Sequence, residues 1–119
     1  MMSRLLLSVA TAGALATGWF HVELKSSLPE KNSRGAAPAK VSLTFSEEVN
    51  SAVSAISILK SDSTELSKLV VKPTKNAATI EAAIPVRLAP GSYLVRWRTA
   101  SDDGHAVRGT YAFTVAPSQ

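Results

Sequence analysis

The chain holds two histidines, His21 and His105. The second stands in Asp102-Asp103-Gly104-His105, where a carboxylate and an imidazole lie two residues apart. Both are donors to divalent metals, one through an anionic oxygen and one through a nitrogen. Residues two apart on a strand point the same way, so Asp-x-His on a strand sends both side chains towards one ion. In a loop that geometry is permitted and not required. Taken alone, Asp-Asp-Gly is also an ordinary turn, and short motifs carry a high false-positive rate. The chain has no cysteine, which removes thiolate metal sites and disulfides from consideration. That absence does not place the chain in the cytosol.

The elements that position this loop are two alternating segments. In Tyr93–Thr99, Tyr93, Val95 and Trp97 share one face while Arg96 and Arg98 share the other. In Gly109–Val115, Tyr111, Phe113 and Val115 alternate with Thr110, Ala112 and Thr114. A period of two marks half-buried strands, with one face on a core and one in water. The loop is the working part and the strands are its mount.

Further strands are expected at His21–Leu28, Val41–Phe45, Ala55–Leu59, Leu69–Val71 and Ala77–Ile84. Pro29–Pro38 reads as a turn-rich connection, Ser61–Ser67 as a polar loop, and Glu47–Ala55 as a weak helical turn. Ala89-Pro90-Gly91 is a strong turn signal before Tyr93. About seven short strands separated by turns indicate an all-β fold, a Greek-key β-barrel or an immunoglobulin-like sandwich. Phe45, Tyr93, Trp97, Tyr111 and Phe113 fall on the inward pattern and are assigned to the core.

A length of 119 residues fits one domain with a modest core. The net charge of +4 comes from basic residues scattered singly along the chain among acidic ones, and a nucleic-acid interface would need clustering on one face, which the linear sequence does not show. Met1–Ala16 has the form of an export signal, with Arg4 as its positive head and Leu5–Ala16 as an uncharged apolar run. That run is short of the roughly 20 residues of a membrane span. Residues 1–20 are therefore expected to be a signal peptide, cleaved after Ala16 or after Phe20. Ala14-Leu15-Ala16 gives the better small-x-small site, and Phe20 sits where a small residue is preferred.

Four pieces in order resemble the CopC copper-resistance family. They are His21-Val22-Glu23-Leu24-Lys25-Ser26-Ser27-Leu28-Pro29, Ala37-Pro38-Ala39-Lys40-Val41-Ser42-Leu43-Thr44-Phe45-Ser46, Ala89-Pro90-Gly91-Ser92-Tyr93 with Trp97-Arg98, and Asp103-Gly104-His105-Ala106-Val107-Arg108-Gly109. The resemblance runs over nearly all of His21–Val115 and makes 21–119 a CopC-like copper-binding domain. It implies a small periplasmic Greek-key β-barrel that binds Cu(II). By motif, the metal ligands become His21, as the mature N-terminal residue, together with Asp103 and His105.

The chemistry of that set agrees with Cu(II), which stands at the top of the affinity series for nitrogen and oxygen sites. A terminal histidine supplies an α-amine and an imidazole nitrogen, Asp103 an oxygen and His105 a third nitrogen. The α-amine, with an unperturbed pKa of about 7.7–8.0, must lose its proton to bind. Some members of the family carry a methionine-rich Cu(I) site. Here Met1 and Met2 are the only methionines and both fall in the signal, so a Cu(II)-only form is expected. Cleavage after Ala16 would leave Thr17–Phe20 in place and remove the chelating amine.

These features imply a monomeric, non-enzymatic copper carrier or buffer in the periplasm. Its partners are the copper ion and, for handoff, a separate membrane copper transporter or periplasmic copper protein. It has no nucleic-acid partner. Two alternatives stand beside it: a copper-dependent oxidative enzyme built on an N-terminal histidine, and a metal-free immunoglobulin-like binding module.

Overall fold

Alternation sets nine strands in the computed structural model, which describes residues 22–118. They are β1 (Leu24–Leu28), β2 (Arg34–Gly35), β3 (Lys40–Phe45), β4 (Ala55–Lys60), β5 (Glu65–Leu69), β6 (Val71–Pro73), β7 (Thr79–Ala83), β8 (Gly91–Ala100) and β9 (Ala106–Val115). One sheet runs β1-β3-β7-β6 and the other β2-β9-β8-β4-β5. All pairs are antiparallel except β2 with β9. The two sheets face each other as a sandwich and do not close into a barrel, so the sandwich form of the expected fold is the one adopted.

Inward positions of both sheets make one core. Val41, Leu43, Phe45, Ile80 and Ala82 come from the first sheet, and Ile56, Ile58, Val95, Trp97, Tyr111, Phe113 and Val115 from the second. Burying such a side chain stabilises the fold by about 1.5–3 kcal/mol. All five aromatic residues assigned to the core from alternation are buried. Phe45 meets Trp97 edge-on at 5.2 Å, and Tyr93 stacks on Phe113 at 5.7 Å. Tyr93 also donates its hydroxyl to the carbonyl of Ala89, 2.6 Å away, which ties the Ala89-Pro90-Gly91 turn to the core.

Four details depart from the elements expected of the sequence. The polar stretch Ser61–Ser67 is a loop only as far as Thr64, because β5 pairs with β4 from Glu65 onwards. The segment Leu69–Val71 divides between sheets, with exposed Val70 as the crossing residue between β5 and β6. The connection Pro29–Pro38 contributes β2, whose two residues pair in parallel with Thr114 and Val115. The helical turn in Glu47–Ala55 shrinks to a 3-10 turn at Ser51–Val53, capped by the Asn50 side chain on the amide of Ala52.

Candidate metal site

The β8–β9 hairpin is the longest ladder in the molecule, ten register pairs from Gly91↔Val115 to Ala100↔Ala106. Trp97 lies opposite Gly109. A Cβ at Gly109 would stand 2.5 Å from Trp97 Cζ2 and 2.7 Å from Cε2, so the indole rests directly on the glycine backbone. Glycine is required there for close approach rather than for an unusual dihedral. The top of β8 is braced from the side. The amide of Asn50 donates to the carbonyl of Ala100 at 2.9 Å, and the Ser54 and Thr99 hydroxyls share a 2.6 Å hydrogen bond.

Above this braced end the chain turns over residues 101–105. The amide of Gly104 donates to the carbonyl of Ser101 at 3.0 Å, closing a four-residue turn. Gly104 sits at φ +85, a left-handed value that glycine adopts without the strain a Cβ imposes. The turn fixes the Asp103 carboxylate through one oxygen. The Ser101 hydroxyl donates to Oδ1 at 2.6 Å, and the His105 amide donates to the same Oδ1 at 3.0 Å. Oδ2 is left facing His105 Nδ1 at 3.4 Å. Both side chains are open to solvent, 84% for His105 and 56% for Asp103.

The hydrogen bond from Ser101 holds the Asp103 carboxyl below its ordinary value of 3.8, with the His105 amide adding to the effect. Two donors on Oδ1 favour the charged form, so the carboxylate is ionised across the physiological range. A nitrogen and an oxygen with metal bonds of about 2.0–2.2 Å each can share one ion when they lie closer than about 4.2 Å. Oδ2 and Nδ1 meet that condition. The pair therefore fits as two ligands of a divalent ion, although the residues sit in a loop where spacing alone did not require it.

Among the described residues no group of three or more His, Cys, Asp or Glu gathers to form a metal site. The third expected ligand, His21, lies outside the described residues. Its neighbour Val22 is buried in the core cluster. The next residue, Glu23, exchanges two hydrogen bonds with Ser46: its carbonyl accepts from the Ser46 amide at 2.8 Å, and its amide donates to the Ser46 hydroxyl at 2.9 Å. Ser46 follows β3, and four residues later Asn50 bonds to Ala100 at the top of β8. The described chain thus begins at the end of the sandwich that carries the 101–105 turn.

Sequence reasoning did not single out Ser101. The signal was present in Ser-x-Asp-Gly, with Ser at the first position of a turn and Gly at the fourth.

A two-sheet sandwich that mounts an Asp-x-His turn on its longest hairpin defines a class, and comparison with known proteins specifies it. The CopC domain model matches residues 24–116. The chain is 33% identical over 110 residues to copper resistance protein C of Escherichia coli, covering 87% of each chain. It is 35% identical over 103 residues to copper resistance protein C of Pseudomonas syringae pv. tomato, covering 80% of each. The crystal structure of CopC from Methylosinus trichosporium OB3b superposes with a TM-score of 0.77 at 36% identity, covering 83% of this chain and 97% of that one. PcoC, a methionine-rich copper resistance protein from Escherichia coli, superposes with a TM-score of 0.68 at 33% identity, covering 80% of this chain and 98% of that one. The chain belongs to the CopC family. It differs from the methionine-rich relative in having no methionine among residues 22–118.

Proposed function

We propose that the chain is an exported Cu(II) carrier, with copper as its cargo, held by Asp103, His105 and the terminal residue His21. The observation that carries this reading is the division of labour within the Asp103 carboxylate. Ser101 and the His105 amide occupy Oδ1, and Oδ2 is presented with His105 Nδ1 on an exposed tip. An exposed, pre-oriented pair suits an ion that must be taken up and given away. The similarity to copper resistance proteins supports copper as that ion. The affinity order of nitrogen and oxygen sites supports the divalent state.

Val22, which follows His21 in the sequence, is buried at the end of the sandwich that carries the turn, and this supports the assignment of His21 to the pair. Its α-amine and imidazole would complete three nitrogens and one oxygen. Residues 1–20 are read as the export signal and the periplasm as the destination, with cleavage before His21 freeing the amine. The aromatics Phe45, Tyr93, Trp97, Tyr111 and Phe113 are buried in the core and are not available for a substrate surface. The carrier reading is therefore preferred to an oxidative enzyme.

A competition titration of the chain beginning at His21 tests the proposal. Cu(II) is expected to bind at one site and to be preferred over Zn(II) and Cu(I). His105→Ala and Asp103→Ala should each weaken binding. Equal Cu(II) affinity for both variants and the unaltered protein would reject the assignment. Tight Cu(I) binding by residues 21–119 would reject the redox preference.

A further inference from the structure

The outer face of the five-stranded sheet collects positive charge that the metal site does not use. Lys68 on β5, Arg96 and Arg98 on β8, and Arg108 on β9 line one shallow depression of about 390 Å³, together with Ser57 and Glu65. Their arrangement follows from register. Ser57 pairs with Lys68 on one side and Arg96 on the other, and Arg98 pairs with Arg108. All four cations are exposed.

Glu65 is already committed. Its Oε1 accepts from the Ser57 hydroxyl at 2.9 Å and from Arg96 at 3.2 Å. Arg98 and Arg108 stand directly opposite each other, and among the described residues neither has a carboxylate within salt-bridge distance. Like charges in register on neighbouring strands are destabilising, so the fold carries an unfavourable pair that an incoming anion would relieve. The other sheet differs, because its exposed Lys40 is paired with Glu81 at 3.2 Å.

We propose that this face docks an acidic protein segment, with successive carboxylates seated between Arg98 and Arg108 and beside Lys68. The spread of the cations decides against a single small anion. From β9 to β5 the strip crosses three strand spacings, about 14 Å, which one phosphate or carboxylate cannot bridge. Carboxylates spaced along a polypeptide can. The Arg98–Arg108 pair is two register steps, about 7 Å, from the Ala100↔Ala106 pair that carries the turn. A partner docked here would lie beside the 101–105 turn. Copper handoff at that contact rests on the proposed function, whereas the docking itself does not.

The test uses metal-free protein and a fluorescent ten-residue glutamate peptide as the probe. Binding is expected to weaken steeply with salt and to shift the backbone resonances of Lys68, Arg96, Arg98 and Arg108 in NMR spectra. The double variant R98Q/R108Q should lose roughly ten-fold in affinity while keeping its melting temperature, since it removes a repulsion. K40Q/K72Q, which removes two cations elsewhere, should lose less than about two-fold by the same reasoning. Equal losses in the two double variants would mean general attraction to a basic protein and would overturn the proposal. Inorganic phosphate producing the same shifts at millimolar concentration would make this a small-anion site and would also overturn it. Copper affinity of R98Q/R108Q, measured separately, should stay unchanged, so failure of docking and failure of the copper reading give different results.

Discussion

The β8–β9 hairpin contains two regions built on opposite terms. At Trp97 and Gly109 the indole lies on backbone with no room for one carbon, and Phe45 closes the other side. A few residues further along, residues 102–105 are exposed, and Asp103 is held by hydrogen bonds within the turn from half-buried Ser101 and from His105. Stability resides in the first region and the proposed metal binding in the second. An exposed Asp103–His105 pair can keep its geometry because a rigid ladder delivers both ends of the turn to fixed positions.

Substitutions should separate the two regions cleanly. Gly109→Val drives a side chain into the indole and should cost about 2–3 kcal/mol. In a domain of this size that lowers the melting temperature by roughly 10–20 °C. Copper affinity, measured where the variant is still folded, should change little. A variant with unaltered thermal stability would show that the indole can move away, and the tight seat would be wrong.

His105→Ala is the converse. It should leave the melting temperature within about 2–4 °C, as expected of an exposed side chain. Copper affinity should fall by about a hundred-fold or more, since even the groups that only orient ligands are worth roughly 10–100-fold. Ser101→Ala, by the same principle, should cost roughly ten-fold in copper affinity, because the Asp103 carboxylate loses its shortest hydrogen bond. The Asp103 pKa should then rise towards 3.8, which a carboxyl titration by NMR would detect.

The smallest effect belongs to the mount. Among the described residues the buried Tyr111 hydroxyl has no well-formed hydrogen bond, and burial pushes its phenol up to about 12 from 10.0, with a weak hydrogen-bonding contribution from Ser27 opposing. The folded state holds that proton more tightly than the unfolded state. The contribution is therefore fully present below about pH 10 and is lost as pH rises towards 12. Tyr111→Phe removes an orphaned polar group and should be neutral or stabilising by up to about 1 kcal/mol. It should also flatten the fall in stability above pH 10. Marked destabilisation at neutral pH would reveal a hydrogen bond to that hydroxyl.

The mount was more legible in the sequence than the tip. Period-two alternation marked Tyr93, Trp97, Tyr111 and Phe113 as core because a sheet with one wet face imposes that pattern directly. β5 escaped notice because Glu65-Leu66-Ser67-Lys68 is polar on an edge strand, where the outer face and one edge are wet. β2 escaped because two residues have no periodicity. At the tip, spacing placed Asp103 and His105 close enough to share an ion only as one option. What fixes them is Ser101, a turn residue whose role depends on the left-handed Gly104 and the closed ladder beneath it. The proposed contribution of His21 depends on where the expected signal would be cut, which side-chain patterning does not encode.

In the proposed site one Cu(II) is held jointly by the turn and by a free terminal His21. Electron paramagnetic resonance of the Cu(II) form, recorded on chains beginning at His21 and at Thr17, separates that site from one built on side chains. Nitrogen hyperfine structure from three nitrogens is expected in the His21 form. A different spectrum and weaker binding are expected in the Thr17 form, whose α-amine is four residues away from the chelating position. Identical spectra and affinities for the two chains would contradict the terminal chelate and leave the metal to side chains alone.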